Sequence, residues 1–122
     1  MAVKLLNNVR SKLALSVTAS DTQIRVLTGQ GSRFPSLDTE GDWFPVALEN
    51  ENGQIEFCKA TARNGDIITV LRGQEGSTAR PYAAGDACEL RLTVAALMEF
   101  GGGGGGNTGP VINVAFVAIE GA

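Results

Sequence analysis

Two Asn-Gly pairs, Asn52-Gly53 and Asn64-Gly65, separate three strand-like runs in the middle of the chain. Asn-Gly supplies the positive φ angles that both central residues of a type I′ turn need, and it is the strongest short-range signal for a β-hairpin. The sequence therefore predicts an antiparallel meander with two type I′ turns, and Pro45 suggests that the first strand lies at an edge or a bulge. The three runs are WFPVALE (43–49), QIEFCKATA (54–62) and DIITVLR (66–72).

Further alternating runs lie on both sides of this meander. SKLALSVT (11–18) and QIRVLT (23–28) flank the turn-forming residues 19–22, which predicts a hairpin. ACELRLT (87–93) alternates in the same way. Residues 1–100 are therefore predicted to be all-β and mostly antiparallel, folded as either a small barrel or a sandwich.

The two ends of this β domain carry different signals. A short helix is predicted over residues 93–100, with Thr93 as its N-terminal cap and Gly101 as its end. Residues 1–10 mix apolar side chains with asparagines, and this pattern fits either an arm or a strand.

Six consecutive glycines, Gly101–Gly106, change the composition abruptly. Because glycine has no side chain to bury and the widest backbone freedom, this stretch is predicted to be a linker. Beyond it, VINVAFVAI (111–119) is an uncharged strand with apolar residues on both faces, which either folds back onto its own sheet or adds to a sheet edge of another subunit. The predicted domains are the β domain with its closing helix (1–100), the linker (101–110) and a C-terminal strand arm (111–122). The candidate interaction residues of the arm are Ile112, Val114, Phe116 and Val117.

The ionisable residues argue against several classes of function. Ten Lys and Arg residues stand against 13 Asp and Glu, and no stretch is polybasic, so we expect no nucleic-acid partner. The chain has no His, which removes the commonest general base and the commonest metal ligand, and we expect no metal and no cofactor. No window approaches the roughly 20 apolar residues of a membrane span, so we expect no membrane insertion. Cys58 and Cys88 are expected to be reduced, buried thiols.

The acidic residues of the loops are the candidates for catalysis. A two-carboxylate site of a small polysaccharide hydrolase could be formed from Asp21, Asp38, Glu40, Asp42 and the Glu49/Glu51 pair. They lie in turn-like stretches where carboxylates are usually solvated, and they lack the spacing of a calcium loop. We therefore expect that the chain is not an enzyme, and we keep the hydrolase as a remote alternative.

One long segment between two predicted strands is punctuated by glycines. LRGQEGSTAR (71–80) continues into PYAAGD (81–86), and Arg72, Glu75 and Arg80 are able to pair across it. We call residues 72–86 the 72–86 loop. It fits either a compact loop that packs on its own sheet or, given its length in so small a domain, a surface that contacts a partner. Its candidate contact residues are Arg72, Gln74, Glu75, Thr78, Arg80 and Tyr82.

The run RGQEGSTARPYAAGDACELRLTVAAL resembles a segment that recurs in tail-fibre and baseplate-associated virion proteins of tailed bacteriophages, especially in their N-terminal, virion-proximal regions. In that group a strand leads to Arg-Gly-Gln-Glu-Gly-Thr-Thr-Ala-Arg, and this chain departs at Ser77 and Pro81. The Phe34-Pro35 pair and the Trp-Phe-Pro strand are also similar, and the resemblance covers roughly residues 10–100. The matching residues are Arg72, Gly73, Gln74, Glu75, Gly76, Thr78, Ala79, Arg80, Gly85, Asp86, Glu89, Leu90, Arg91 and Thr93.

The resemblance implies a structural virion protein of a tailed phage. It would be a tail-fibre or baseplate-proximal module that contacts other tail or baseplate proteins and self-associates as a trimer. Such a protein would be assembled in the host bacterial cytoplasm and would be located in the virion tail. The size and the β content also fit a capsid decoration protein of the head, which is the alternative.

Overall fold

The computed structural model describes residues 2–6 and 9–102. The strands in this part of the chain are β1 (Arg10–Lys12), β2 (Gln23–Arg25), β3 (Phe44–Glu49), β4 (Ile55–Asn64), β5 (Ile67–Gln74) and β6 (Ala87–Leu90). A 3₁₀ helix spans Gln30–Arg33, and an α-helix, α1, spans Val94–Gly102. These elements confirm the prediction of an all-β, mostly antiparallel fold with one short helix.

The six strands form a sheet in the order β1-β6-β3-β4-β5-β2, and each neighbouring pair is antiparallel. The residues that follow the two edge strands, Leu13 and Val26, form an isolated bridge. Beside it, the Ala14 N–H donates to the Arg25 carbonyl at 2.8 Å. The sheet is therefore curled into a half-barrel, which is closer to the predicted barrel than to the predicted sandwich.

The hydrophobic core lies inside the curl, where the two-residue period of the strands places it. Phe44, Val46 and Leu48 alternate along β3 and are all fully buried. Phe34, from the loop before β3, stacks on Phe44 with ring centroids 5.7 Å apart. Burying a large apolar side chain stabilises the fold by about 1.5–3 kcal/mol, so this layer is a main source of stability. Further core residues are Val9, Leu13, Val17, Ile24, Val26, Cys58, Ala60, Ile68, Val70, Tyr82 and Cys88.

The expectation that Pro45 marks an edge strand is wrong, because β3 lies between β4 and β6. At Pro45 itself, however, β3 resembles an edge strand. Pro45 pairs with Lys59 of β4, but the ladder with β6 begins only at Val46, opposite Leu90. Proline therefore occupies a position where β3 has a strand on one side only, so its missing N–H interrupts no ladder with β6.

Both predicted hairpins of the meander are present, but neither turn is type I′. Asn52 and Asn64 do not have positive φ angles, whereas Gly53 and Gly65 do, at 80° and 63°. Because Asn64 pairs with Ile67, the two-residue loop is Gly65-Asp66 rather than Asn-Gly. A positive φ at the first loop residue alone is the signature of a type II′ turn.

The predicted hairpin of residues 11–18 with 23–28 forms only at one end. The Leu13–Val26 bridge joins the two predicted strands. Further along, Val17 pairs instead with Tyr82, through hydrogen bonds of 2.9 and 3.0 Å. The two predicted strands do not form a continuous hairpin, because β1 pairs with β6 and β2 pairs with β5.

The N-terminal stretch is partly strand-like. Val3 forms a parallel bridge with Trp43, and the Lys4 N–H donates to the Trp43 carbonyl at 2.8 Å. The described part of the stretch is thus tied to the residue that precedes β3.

Helix α1 belongs to a second compact unit that begins at Thr93. The Thr93 hydroxyl accepts the Ala96 N–H at 3.2 Å, which confirms the predicted cap. The helix continues to Gly102, one residue beyond its predicted end at Gly101. Among the described residues, no helix has the length and hydropathy to cross a membrane. The rest of the linker and the strand arm, with Ile112, Val114, Phe116 and Val117, lie outside the described residues.

Candidate functional site

A carboxylate occupies a core-facing position of β4. Glu56, Cys58 and Ala60 alternate on the inner face of this strand, and the Glu56 side chain is fully buried. A buried charge is costly unless it is paired and hydrogen-bonded, so its partners determine what this position does.

Arg72 of β5 is that partner. Its Nε and Nη2 donate to the two Glu56 oxygens at 2.9 and 3.0 Å, in the bidentate geometry that makes Arg–carboxylate pairs strong. The Arg72 side chain is only 7% exposed. Two backbone groups complete the shell of the carboxylate, since the N–H groups of Gly73 and Arg80 donate to it at 2.8 and 3.1 Å.

The remaining donors of the Arg72 guanidinium tie three chain segments together. Its Nη1 donates to the carbonyls of Thr18 and Asp21 at 2.7 and 2.9 Å, and its Nη2 also donates to the Arg80 carbonyl at 2.7 Å. All five N–H groups of the guanidinium therefore have acceptors. The ion pair is the point where both ends of the RGQEGSTAR run and the turn after residue 17 meet.

The electrostatics agree with this geometry. Burial alone raises the pKa of Glu56, but the hydrogen bonds from Arg72, Gly73 and Arg80 outweigh it, and the pKa lies below its ordinary value. Burial and the nearby Glu56 charge raise the pKa of Cys58 to about 12, and the same two causes raise that of Tyr82 to about 12. The carboxylate is therefore ionised at neutral pH and paired with the charged Arg72, while the Cys58 thiol and the Tyr82 hydroxyl stay neutral.

The tip of the 72–86 loop is a tight turn. Glu75 and Gly76 have φ angles of 55° and 81°, and the Ser77 N–H donates to the Gln74 carbonyl at 3.0 Å. Two positive φ angles in succession are the type I′ pattern that the sequence predicted elsewhere. The Ser77 hydroxyl accepts the Phe57 N–H at 2.9 Å, which fixes the turn against β4.

The far half of the loop is fixed against the segment before β2. The Ala84 N–H donates to the Ser16 hydroxyl at 3.2 Å, and the Gly85 N–H donates to the Leu13 carbonyl at 2.8 Å. Within the loop, the Asp86 carboxylate accepts the Ala83 N–H at 2.9 Å. The loop therefore packs on its own sheet along most of its length and leaves its tip exposed.

The six predicted contact residues of the loop divide by burial. The side chain of Arg72 and the ring of Tyr82 point inward, and Tyr82 is 3% exposed. Gln74 and Arg80 are half-buried, and Gln74 donates to the Arg72 carbonyl at 3.0 Å. Glu75 and Thr78 are exposed. A partner that approaches from outside would therefore meet the residues of the tip, and Arg72 and Tyr82 would act by supporting them.

Sequence reasoning missed Glu56 and proposed instead that Arg72, Glu75 and Arg80 pair across the loop. In the structure the Arg72 side chain is taken by Glu56. The signal for Glu56 was present in QIEFCKATA, where a carboxylate stands in register with two buried apolar positions. An arginine in the next strand of the meander was the available partner.

The acidic loop residues are placed differently from one another. Asp42 is buried, accepts the Ala2 N–H at 3.1 Å and lies 3.7 Å from Lys4 Nζ, so it anchors the N-terminal stretch. Asp38 lines the same cleft of about 450 Å³ as Asp42, and Glu40 is exposed. Within residues 2–6 and 9–102, no group of three or more Cys, Asp or Glu side chains is arranged to hold a metal ion.

Both cysteines are free and buried, as the sequence predicted.

No protein-family model matches the chain, and no curated protein matches it either.

Proposed function

We propose that this chain is a structural module of a tailed-phage virion, located at the tail fibre or the baseplate, which uses the exposed tip of the 72–86 loop to contact neighbouring virion proteins. The observation that carries the proposal is the buried Glu56–Arg72 pair, because it fixes the loop in which the resemblance to such proteins is concentrated.

The energetics of the pair favour a role in positioning. An ion pair that is removed from water contributes little net stability compared with apolar residues of the same volume, so its presence in a core suggests a gain in conformational specificity. Here the specificity is that of the loop, since Gly73 and Arg80 are both bonded to the carboxylate. A loop that is already ordered loses less entropy when a partner docks, which favours affinity.

The surface for docking is small and mixed in character. Glu75, Thr78 and Pro81 are exposed around the tip, which offers one charge, one hydroxyl and one rigid apolar ring. Such a surface suits a contact that is repeated many times in an assembly rather than a single high-affinity interface.

Electron microscopy of purified virions tests the location. Gold-labelled antibodies against the chain should mark the tail tip or the fibres. Label on the head would support the decoration-protein alternative instead, and virions that carry no label would contradict the proposal as a whole.

A matched pair of variants tests the surface. Thr78→Arg places a long cation on the tip, and Asn52→Arg makes the same change in charge on the exposed β3–β4 turn. We expect Thr78→Arg to reduce incorporation into virions while Asn52→Arg is incorporated normally. Equal incorporation of the two variants would show that the tip is not the contact surface.

A further inference from the structure

We infer that the cleft between residues 15–17 and β2 receives the apolar segment 111–119 of a second copy of this chain, as a strand added to the free edge of β2. The inference rests on the proposed function, which gives each copy identical neighbours, and it names the receiving site for self-association.

The free edge of β2 follows from its hydrogen bonds. The Thr22 carbonyl accepts the Val70 N–H at 2.8 Å, and the Val26 N–H donates to the Asp66 carbonyl at 3.0 Å. Because successive residues of a strand direct their backbone groups to opposite sides, Gln23 directs its N–H and C=O away from β5. In the described part of the chain, no backbone hydrogen bond reaches Gln23 from that side.

The cleft exists because the predicted hairpin opens. Its strands stay together at Leu13 and Val26, but Val17 is drawn to Tyr82 by two hydrogen bonds. The segment around Leu15 therefore diverges from β2 and leaves an open cleft of about 450 Å³ beside Gln23.

The lining of the cleft is mixed, because Asp21 and Arg25 contribute to it together with apolar side chains. Leu15 is 59% exposed at its rim, and Ile67 contributes a second apolar wall. An added strand would satisfy the outward backbone groups of Gln23 and cover Leu15, which is the usual basis of recognition by strand addition. Strand β2 is three residues long, or about 10 Å, and the Arg25 carbonyl at its end already accepts the Ala14 N–H, so only a short part of the nine-residue segment would pair, beside Gln23.

The opposite edge of the sheet is less available. The Lys12 carbonyl of β1 accepts the Leu27 N–H at 3.1 Å, and the Arg10 carbonyl accepts Nη1 of Arg33 at 3.0 Å. An added strand would have to displace both bonds. On the β2 edge the Arg25 carbonyl is also taken, by the Ala14 N–H, so the preference for β2 rests on Gln23, whose outward backbone groups have no backbone partner among the described residues.

The sequence beyond helix α1 identifies the occupant. Twenty residues follow Gly102, and they begin with glycine-rich residues 103–110, which can extend about 27 Å. The segment 111–119 that follows has no charge and is apolar on both faces, so water is a poor environment for it. A contact from the arm of one copy to the cleft of the next is heterologous, and such contacts form rings, including trimers, when the rotation between copies closes.

Disulfide trapping tests this pairing directly. Full-length Leu15→Cys and full-length Val114→Cys, carrying different tags, are mixed and oxidised. Because Cys58 and Cys88 are buried and the pKa of each thiol is raised, they contribute little background. We expect a covalent heterodimer. Glu51→Cys, on the exposed β3–β4 turn, replaces Leu15→Cys as the matched control and should give none.

Three further variants test the edge itself. Gln23→Pro removes the outward N–H, whereas Gln23→Ala keeps it. Leu15→Lys puts a charge at the rim. Each is combined with Thr22→Cys, which also lines the cleft, and is mixed with Val114→Cys. We expect Gln23→Pro and Leu15→Lys to abolish trapping and Gln23→Ala to retain it, with circular dichroism confirming that all three are folded.

Several outcomes would overturn the inference. These are trapping that is as efficient at Glu51→Cys as at Leu15→Cys, trapping that survives both Gln23→Pro and Leu15→Lys, and a Leu15→Cys/Val114→Cys double variant that closes only within one chain. The test is independent of the virion test. Disulfide trapping without virion label would support self-association and contradict the location in the tail. Virion label on the tail without disulfide trapping would support the location and contradict self-association through this cleft.

Discussion

Two carboxylates at opposite ends of the β4–β5 hairpin do the same task in different surroundings. Asp66, in the Gly65-Asp66 turn, accepts the N–H groups of Gly29 and Gly31 at 3.1 and 2.9 Å and so holds the 3₁₀ helix against the turn. Glu56, at the other end, accepts the N–H groups of Gly73 and Arg80 and so holds the 72–86 loop. Each carboxylate organises a loop that comes from another part of the chain.

The two carboxylates differ in their exposure to solvent. Asp66 is only partly buried, so water can replace a lost hydrogen bond, and two backbone N–H groups hold its carboxylate instead of a bidentate guanidinium. Glu56 is fully buried and depends on Arg72 for its counter-charge. The buried arrangement is therefore more rigid, and its disruption should also be more damaging, because an orphaned charge is left in the core.

The largest expected effect is that of removing the counter-charge of the buried carboxylate. Arg72→Met should lower the free energy of unfolding by about 3–5 kcal/mol, since Glu56 would remain buried without a partner. Chemical denaturation measures this. Arg63→Met is the matched control, because Arg63 donates to neutral groups, the Pro35 and Gly65 carbonyls and the Ser36 hydroxyl, and not to a buried carboxylate. Comparable losses of unfolding free energy in the two variants would contradict the larger role that we assign to the buried Arg72.

The second effect concerns packing at the Asp66 end. A Cβ on Gly31 would overlap the backbone carbonyl of Gly65, which has no flexible end that can move aside. Gly31→Ala should therefore lower the free energy of unfolding by about 1–3 kcal/mol through overpacking. Ser32→Ala, at an exposed neighbouring position, should stay within about 0.5 kcal/mol of the parent chain. A Gly31→Ala protein as stable as the parent would mean that the 3₁₀ helix is not held closely against the turn.

The pH dependence of stability compares the two carboxylates directly. Hydrogen bonds from Gly29 and Gly31 place the pKa of Asp66 below its ordinary value, and that of Glu56 is also lowered. A carboxyl whose pKa is lower in the folded state stabilises the fold above its unfolded pKa, about 4.3 for Glu and 3.9 for Asp, and this contribution is lost as the pH falls through the folded value.

We therefore expect stability to fall on acidification below about pH 4.3. Glu56→Gln should flatten that part of the profile more than Asp66→Asn does, because the surface group is screened by water. Denaturation midpoints measured between neutral pH and pH 2 provide the comparison. If Asp66→Asn flattens the pH profile of stability more than Glu56→Gln does, Asp66 contributes more than Glu56 to the loss of stability in acid, which contradicts the order we expect.

The smallest effect is expected at the loop tip. Glu75 has a φ of 55°, a left-handed conformation that asparagine adopts more readily than glutamate. Glu75→Asn should therefore raise the midpoint of thermal unfolding slightly, by the equivalent of at most about 1 kcal/mol. Thr78→Asn, at an exposed loop position without a positive φ, should not raise it. A gain in both variants would point to a cause other than backbone strain.

Much of the sheet could be predicted from sequence because its signals are local. The strand-like runs that form β3, β4 and β5 and the Thr93 cap depend on neighbouring residues alone, and the structure confirms them. The turn types and the partners of β1 and β2 depend on pairing at long range. Val17, for example, is paired with Tyr82, which is 65 residues away in sequence and leaves no local trace.

The site was predicted less completely than the fold for the same reason. The motif drew attention to the 72–86 loop, but the residue that holds the loop, Glu56, lies outside the motif on a neighbouring strand. Burial also divides the loop residues in a way that composition does not reveal. Arg72 and Tyr82 face inward, while Thr78 faces solvent.

The Glu56 carboxylate orders the 72–86 loop through its bonds to the backbone of Gly73 and Arg80. Amide hydrogen exchange of the parent chain and of Glu56→Gln tests this claim at single residues. We predict slow exchange at Gly73 and Arg80 in the parent chain and much faster exchange of both in Glu56→Gln, with the amides of β3 and β4 still protected. Equal protection of Gly73 and Arg80 in the two proteins would contradict the claim.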